Sequence, residues 1–226
     1  MVALIANGYS TDHRGRPFRR RNRLPLIITG IVLAMAVVIV WIVTGTRTAT
    51  TDTAIVCNRP ADGLTDADGN PAAPLGRAAD RTVLTESSPA PLWDTTVRVY
   101  NANGQGGQAA QVAAQFAELG LGMAEGEHVA NDPVYIRQNL QCQGQIRFGD
   151  NGTAQANTVS LLLPCAELIR DDRDDETVDV ALGTLFNDLS PNADAEAVLK
   201  ALRVDPDVPA PEVDRALLDG ARDLRC

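Results

Sequence analysis

A small α/β (α+β) domain, with helices packed on a sheet and preceded by one transmembrane helix and a flexible stalk, is the architecture that three observations predict. Twenty uncharged residues, Leu24 to Val43, follow a stretch carrying Arg14, Arg16, Arg19, Arg20, Arg21 and Arg23. After a turn-rich region, Thr96-Val97-Arg98-Val99-Tyr100 alternates β-branched and aromatic residues, and a glycine loop then leads into a helical pattern. Beyond it, helical and strand periodicities alternate as far as Phe186, the pattern of helices layered on a sheet.

The N-terminal elements are read from length and charge. At about 1.5 Å per residue, a helix over 24–43 is long enough to cross a hydrocarbon core roughly 30 Å thick. Six arginines precede it and only Arg47 closely follows, so the positive-inside rule places 1–23 in the cytoplasm and exports the chain after Thr44. A cleaved signal peptide has a shorter apolar stretch, and a lipoprotein would need a cysteine directly after it. Cys57 lies well beyond Val43. The expectation is an uncleaved single-pass anchor in the cell membrane.

The exported part, Thr44 to Cys226, carries 14 Lys+Arg against 28 Asp+Glu, a formal charge of −14. Such a surface repels nucleic acid and anionic headgroups, and disfavours a polyanionic ligand unless basic residues cluster locally. All four cysteines, Cys57, Cys142, Cys165 and Cys226, fall in it. An even number in an oxidising compartment reads as two disulfides. None has CxxC or Cys/His spacing, and His128 has no Cys or His near it, so neither a metal site nor a cofactor is expected.

From 44 to 92 the chain is rich in Thr, Ala, Asp, Gly and Pro, with Pro60, Pro71, Pro74, Pro89 and Pro91 interrupting any helix. It reads as a stalk. Asp66, Asp68, Gly69 and Asn70 look like a fragment of a calcium loop, but the preceding Asp and the terminal Glu are missing; a turn is expected.

The domain proper is expected over 93–189. Its first strand ends in Asn101-Ala102-Asn103-Gly104-Gln105-Gly106-Gly107, and Gln108 to Leu119 then places Ala109, Val112, Ala113, Phe116 and Leu119 at helical spacing before Gly120. A strand, glycine loop, helix unit can cradle an anion on backbone N–H groups. Asn101, Asn103, Gly104, Gly106 and Gly107 are therefore a candidate ligand loop. Neither GxGxxG nor a P-loop is matched, so the competing reading is conformational, with the glycines supplying positive φ and close helix packing.

Strands are expected next at Met123–Val129 and Gln145–Phe148, a helix from Ala154 to about Leu168, and a last strand at Thr177–Phe186. Pro164 would kink that helix or restart it with the proline in its first turn. The acidic run Asp171, Asp172, Asp174, Asp175 and Glu176 reads as a solvated loop. A C-terminal extension, 190–226, carries helical patterns at Asn192–Leu202 and Pro211–Leu224, read as appendages to the sheet domain.

The segment Val97-Arg98-Val99-Tyr100-Asn101-Ala102-Asn103-Gly104, with Gly107-Gln108-Ala109-Ala110 leading to Leu119-Gly120, resembles the LytR C-terminal domain. Ile146-Arg147-Phe148-Gly149 and Val178-Asp179-Val180-Ala181-Leu182-Gly183 with Phe186 fit the same family. The resemblance covers about Thr95 to Leu189. This domain often trails a phosphotransferase that attaches glycopolymers to peptidoglycan, but nothing here resembles that enzyme. What the resemblance implies is a stand-alone, membrane-anchored envelope domain, in which the segment around Cys142 and the tail through Cys226 are specialisations.

Two function classes follow. The first is a non-enzymatic envelope protein supporting cell-wall integrity by binding a wall polymer or another envelope protein. The alternative is an exported hydrolase or transferase, against which stands the lack of any exported histidine beside a nucleophilic Ser or Cys. Of the three possible cysteine pairings, geometry favours Cys142 with Cys165 and Cys57 with Cys226, because a helix packing back across the 145–148 strand returns its end to the strand start.

Overall fold

The computed structural model describes residues 27–37, 56–85, 87–209, 212–222 and 226, and the chain divides into two compact units, Met1–Ala49 and Thr50–Cys226. In the first unit, residues 27–37 are helical. Among the described residues no helix is long and apolar enough to cross a membrane. The span expected over 24–43 extends outside them.

The second unit is built on a sheet of seven strands. They are β1 (Arg77–Ala78), β2 (Thr96–Asn101), β3 (Gly122–Met123), β4 (Val129–Asn131), β5 (Gly144–Phe148), β6 (Glu167–Arg170) and β7 (Val178–Leu182). The order is β1-β6-β5-β7-β2-β3, with β4 also pairing β2. Two crossover units make it. β2 and its parallel neighbours β3 and β4 are joined through helix α1 (Gln108–Leu119), and β5 and its parallel neighbour β6 through α2 (Thr153–Leu162). β7 runs between them, parallel to β2 and antiparallel to β5.

Alternation along the strands gives the sheet two different faces. Val97 and Val99 of β2, Ile146 and Phe148 of β5 and Val178, Val180 and Leu182 of β7 enter one large apolar cluster. The helices cover that face with Ala109, Val112, Ala113 and Phe116 of α1 and Ala156, Val159, Leu161 and Leu162 of α2. Each fully buried Phe or Leu there contributes roughly 1.5–3 kcal/mol. α1 has the bounds its periodicity predicts, and Gly120, at φ 103°, closes it by donating to the Phe116 and Ala117 carbonyls.

Several sequence expectations are corrected. The helix expected from Ala154 to about Leu168 stops at Leu162, and Glu167–Arg170 is a strand. Pro164 has no N–H to continue a helix and pushes Leu163 out of the helical region, to φ −124° and ψ 69°. The single strand expected at Met123–Val129 is two short ones, parted by a turn with Gly126 at φ 78°.

The stalk expected over 44–92 is, from Cys57 onward, part of the folded unit. Leu84, Ala90 and Leu92 are buried, β1 pairs with β6, and Asn157 of α2 donates to the Leu84 and Ser87 carbonyls at 2.8 and 2.7 Å. Prolines stop this segment from forming helix but not from packing. Asp66 closes a turn by accepting from the Asp68 and Asn70 N–H groups.

Nor are the C-terminal helices appendages. α3 (Ala193–Ala201), N-capped by Asn192, and α4 (Arg215–Arg222) bury Ala195, Val198, Leu199, Leu218 and Ala221 in the main cluster. α4 begins at Arg215 rather than at Pro211, with the Asp214 carboxylate accepting from the Ala216 N–H.

The disulfides are also paired differently, Cys57 with Cys142 and Cys165 with Cys226. Cys142 lies two residues before β5 in a cluster on the second face of the sheet, with Cys57, Val134, Tyr135, Leu140 and Ala181. Cys165 leaves α2 on the helix side. The helix end does return to the strand start, as β6 pairing with β5 requires, but on the opposite face. Gly183 lies against this corner, where a Cβ would meet the Cys142 carbonyl oxygen at 2.1 Å.

Non-reducing peptide mapping should recover Cys57–Cys142 and Cys165–Cys226, and a Cys142–Cys165 peptide would contradict the fold. Replacing Cys57 and Cys142 together by Ser should lower stability by about 2–5 kcal/mol, because their sequence separation of 85 leaves a long loop unconstrained in the unfolded chain.

Candidate functional site

The second face of the sheet is polar where a surface sheet would be solvated, yet much of it is buried. Register sets Arg98 of β2 opposite Asp179 of β7, and Asp179 opposite Arg147 of β5. In the next row Gln145 lies opposite Glu167. Opposite charges directly across neighbouring strands stabilise the pairing.

The inner half of this row is sealed. Arg147 and Asp132 form a two-pronged ion pair, Nη1 to Oδ1 at 3.1 Å and Nη2 to Oδ2 at 2.7 Å, with side chains 4% and 0% exposed. Further hydrogen bonds support the pair. Asp132 Oδ1 accepts from the Val134 and Tyr135 N–H groups, and Arg147 donates to Gln145 Oε1 from Nε and Nη2. Gln145 in turn donates to Glu167, which accepts from Arg59 at 3.2 Å. Tyr135 stacks under the Arg147 guanidinium at 5.8 Å and donates to the Asn58 carbonyl. The loop after β4 and the segment after Cys57 thereby form a cover, stapled by the Cys57–Cys142 disulfide.

The outer half opens into a cleft of about 320 Å³, floored by Arg98, Arg147 and Asp179 and walled by Asp171, Arg173 and Pro133. Asp179 accepts from Arg98 Nε at 2.8 Å and from Arg173 Nη2 at 2.6 Å, and Arg173 also holds Asp171 at 2.6 Å. Burial alone would raise the Asp171 carboxyl, but the hydrogen bonds and charge of Arg173 overcome it and hold the group below its ordinary value. Burial would likewise lower the Arg173 guanidinium, and its bonds to Asp171 and Asp179 raise it instead. A carboxylate paired in this way is suited to fixed hydrogen-bond acceptance. The cleft offers a ligand guanidinium donors and carboxylate acceptors in a set geometry.

The acidic run is a loop, as its composition predicts, but its first member, Asp171, and Arg173, which interrupts it, belong to this network. Asn101, Asn103, Gly104, Gly106 and Gly107 lie apart from it, between β2 and α1. There Asn101 Oδ1 accepts from the Asn103 and Gly104 N–H groups, and Asn103 donates to Gln108 and to the Gly183 carbonyl. Gly104 and Gly107 have φ of 78° and 83°, as the conformational reading requires; Gly106 has no positive φ. The two asparagines are occupied with closing the loop.

The network was hidden in the sequence because Arg98, Gln145, Arg147 and Asp179 alternate with apolar residues, as in a solvated strand. The available signal was their charge pairing once strand order is known.

Residues 94–186 match the LytR_C family, described as LytR cell envelope-related transcriptional attenuator. The chain is 44% identical over 203 residues, 90% of its own length and 91% of the other's, to the cell envelope integrity protein Cei of Mycobacterium tuberculosis. It is also similar to the crystal structure of the soluble domain of a conserved hypothetical secreted protein from Mycobacterium marinum. That likeness has a TM-score of 0.60 and 45% identity, and it covers 68% of this chain and all of that one.

Arg147→Ala should destabilise the domain by about 3–5 kcal/mol, since it strands the buried Asp132 charge. Arg98→Ala, at a side chain 31% exposed, should cost no more than about 1 kcal/mol. Chemical denaturation of both variants checks the contrast. Asp171, low in the folded state, contributes stability that is fully present above the ordinary carboxylate value of 3.8 and is lost as pH falls through its folded value. The melting temperature should therefore hold from neutral pH down to about 5 and fall below about 4.

Proposed function

The chain belongs to the family of the cell envelope integrity protein and carries a LytR_C domain, and on that premise we propose that it is a non-enzymatic, single-pass membrane protein that contributes to envelope integrity. The N-terminus is cytoplasmic, 24–43 is the anchor, and the disulfide-bonded domain works outside, where it binds a wall polymer or another envelope protein. The observation that carries this reading is the likeness to a protein of that name over nine-tenths of both chains, well beyond the 94–186 match. The two disulfides support an oxidising compartment. The paired state of Asp171, Arg173 and Asp179 supports binding over catalysis.

The binding surface on this reading is the open end of the charged cleft, where Arg98 and Arg173 present donors beside Asp171 and Asp179. A neutral or zwitterionic polymer segment, rich in hydroxyl and amide groups, suits such alternating donors and acceptors better than a polyanion would on a surface of this charge.

Full-length protein in detergent should pellet with isolated cell-wall material, or with crosslinked envelope partners from intact cells. Arg98→Ala should reduce that capture while leaving melting nearly unchanged. Reporter fusions after Thr50 should be active in the exported sense, and release by alkaline carbonate would contradict the anchor. Turnover of chromogenic glycoside or ester substrates by the pure chain would overturn the non-enzymatic reading.

A further inference from the structure

On the helix side of the sheet, away from the charged cleft, a groove of about 730 Å³ opens between α1 and α3. Five leucines line it. Leu92, Leu162 and Leu199 are buried in the core, whereas Leu119 of α1 and Leu189 ahead of α3 are only half-buried. The two helices flank these leucines instead of packing on each other. Two hydrogen bonds show how they run. Gln115 of α1 donates to Asp188, which precedes the Asn192 cap of α3, at 3.3 Å, and Arg203, just past α3, donates to the carbonyl of Leu119 at the end of α1 at 2.9 Å. Both helices therefore point the same way along the groove.

Five charged side chains stand around the leucines. Asp188 and Glu196 lie toward the start of α3, Lys200 and Arg203 toward its end, and Glu118 on the α1 wall. All five are exposed, and among the described residues none is in an ion pair. The signs along α3 suit its own dipole, with acid near the N-terminus and base near the C-terminus. They also give the groove opposite charges at its two ends.

That polarity selects what can cover the leucines. An acyl chain would bury apolar surface but leave both charged ends unmatched. A helix lying antiparallel to α1 and α3 matches both, because helices favour acidic residues in the first turn and basic ones in the last, and its N-terminal dipole end meets the C-terminal ends of α1 and α3. The length agrees as well. The nine residues of α3 extend about 14 Å, enough to follow apolar anchors at i, i+3 or i+4, and i+7 of a docked helix.

We propose that this groove docks an amphipathic helix of a partner protein, antiparallel to α1 and α3, with acidic first-turn residues against Lys200 and Arg203 and basic last-turn residues against Asp188 and Glu196. Its apolar anchors cover Leu119 and Leu189. Glu118 favours a hydrogen-bond donor opposite it on the α1 wall. The docking surface is separate from the charged cleft and does not depend on what that cleft takes.

The test starts with photo-crosslinking amino acids placed at Glu118 and, separately, at Leu189 of the full chain in intact cells, with the crosslinked peptide sequenced. The peptide should carry apolar residues at the stated spacing, with acid at its start and base at its end. A synthetic copy should then bind the purified full chain in lipid nanodiscs. The paired exchange Glu196→Lys with Lys200→Glu leaves net charge unchanged, and it should weaken that binding about tenfold while melting stays nearly unchanged. A copy with its end charges reversed should recover affinity for the exchanged chain and lose about tenfold for the wild type. Should the exchanged chain fail to fold, the reversed copy on wild type still decides. Crosslinks only to lipid, only to a second copy of this chain, to a segment without that pattern, or to nothing overturn the proposal, as does binding indifferent to both charge reversals.

Discussion

The Arg147–Asp132 pair is the constraint on which the second face of the sheet depends. A guanidinium at the centre of β5 and a carboxylate just after β4 are both withdrawn from water, a state tolerated when the geometry is close and further hydrogen bonds support both groups. Much of that support comes from the cover. Val134 and Tyr135 donate their N–H groups to Asp132, Tyr135 lies under the guanidinium, and Gln145 passes the network on to Glu167 and Arg59.

The other face is held by ordinary means. Branched residues from β2, β5 and β7 meet α1 and α2, and the C-terminal helices add Val198, Leu199 and Leu218 to the same cluster. The division of labour between the faces explains the placement of the disulfides. Cys57–Cys142 fastens the chain after Cys57, poor in regular structure, on the polar face, and Cys165–Cys226 fastens the chain end that follows α4 to the residues that follow α2.

The parts with local periodicity were legible in the sequence. β2, α1 and β7 follow alternation or helical spacing, and Asn192 and Gly120 announce their helix ends. The parts that were not legible are stabilised by partners far away in the chain. Glu167-Leu168-Ile169-Arg170 looks like the continuation of a helix until Pro164 is taken as its end, and 57–92 looks unstructured because prolines hide the few apolar residues that anchor it. The candidate loop at Asn101–Gly107 was visible through its glycines, whereas the charged cleft was not, since Arg98, Arg147 and Asp179 carry no sign of burial until the strands are ordered. The cysteine pairing failed for the same reason: proximity along the sheet was inferred correctly, but the face was not.

The central claim is that the buried pair clamps the cover onto the sheet, and native-state hydrogen exchange at the Val134 and Tyr135 amides tests it most directly. Both donate to Asp132, although they lie in a loop without regular structure. The account predicts that they exchange nearly as slowly as the amides of β5 and β7, through opening of the whole domain. Exchange at the rate of an open loop would contradict it.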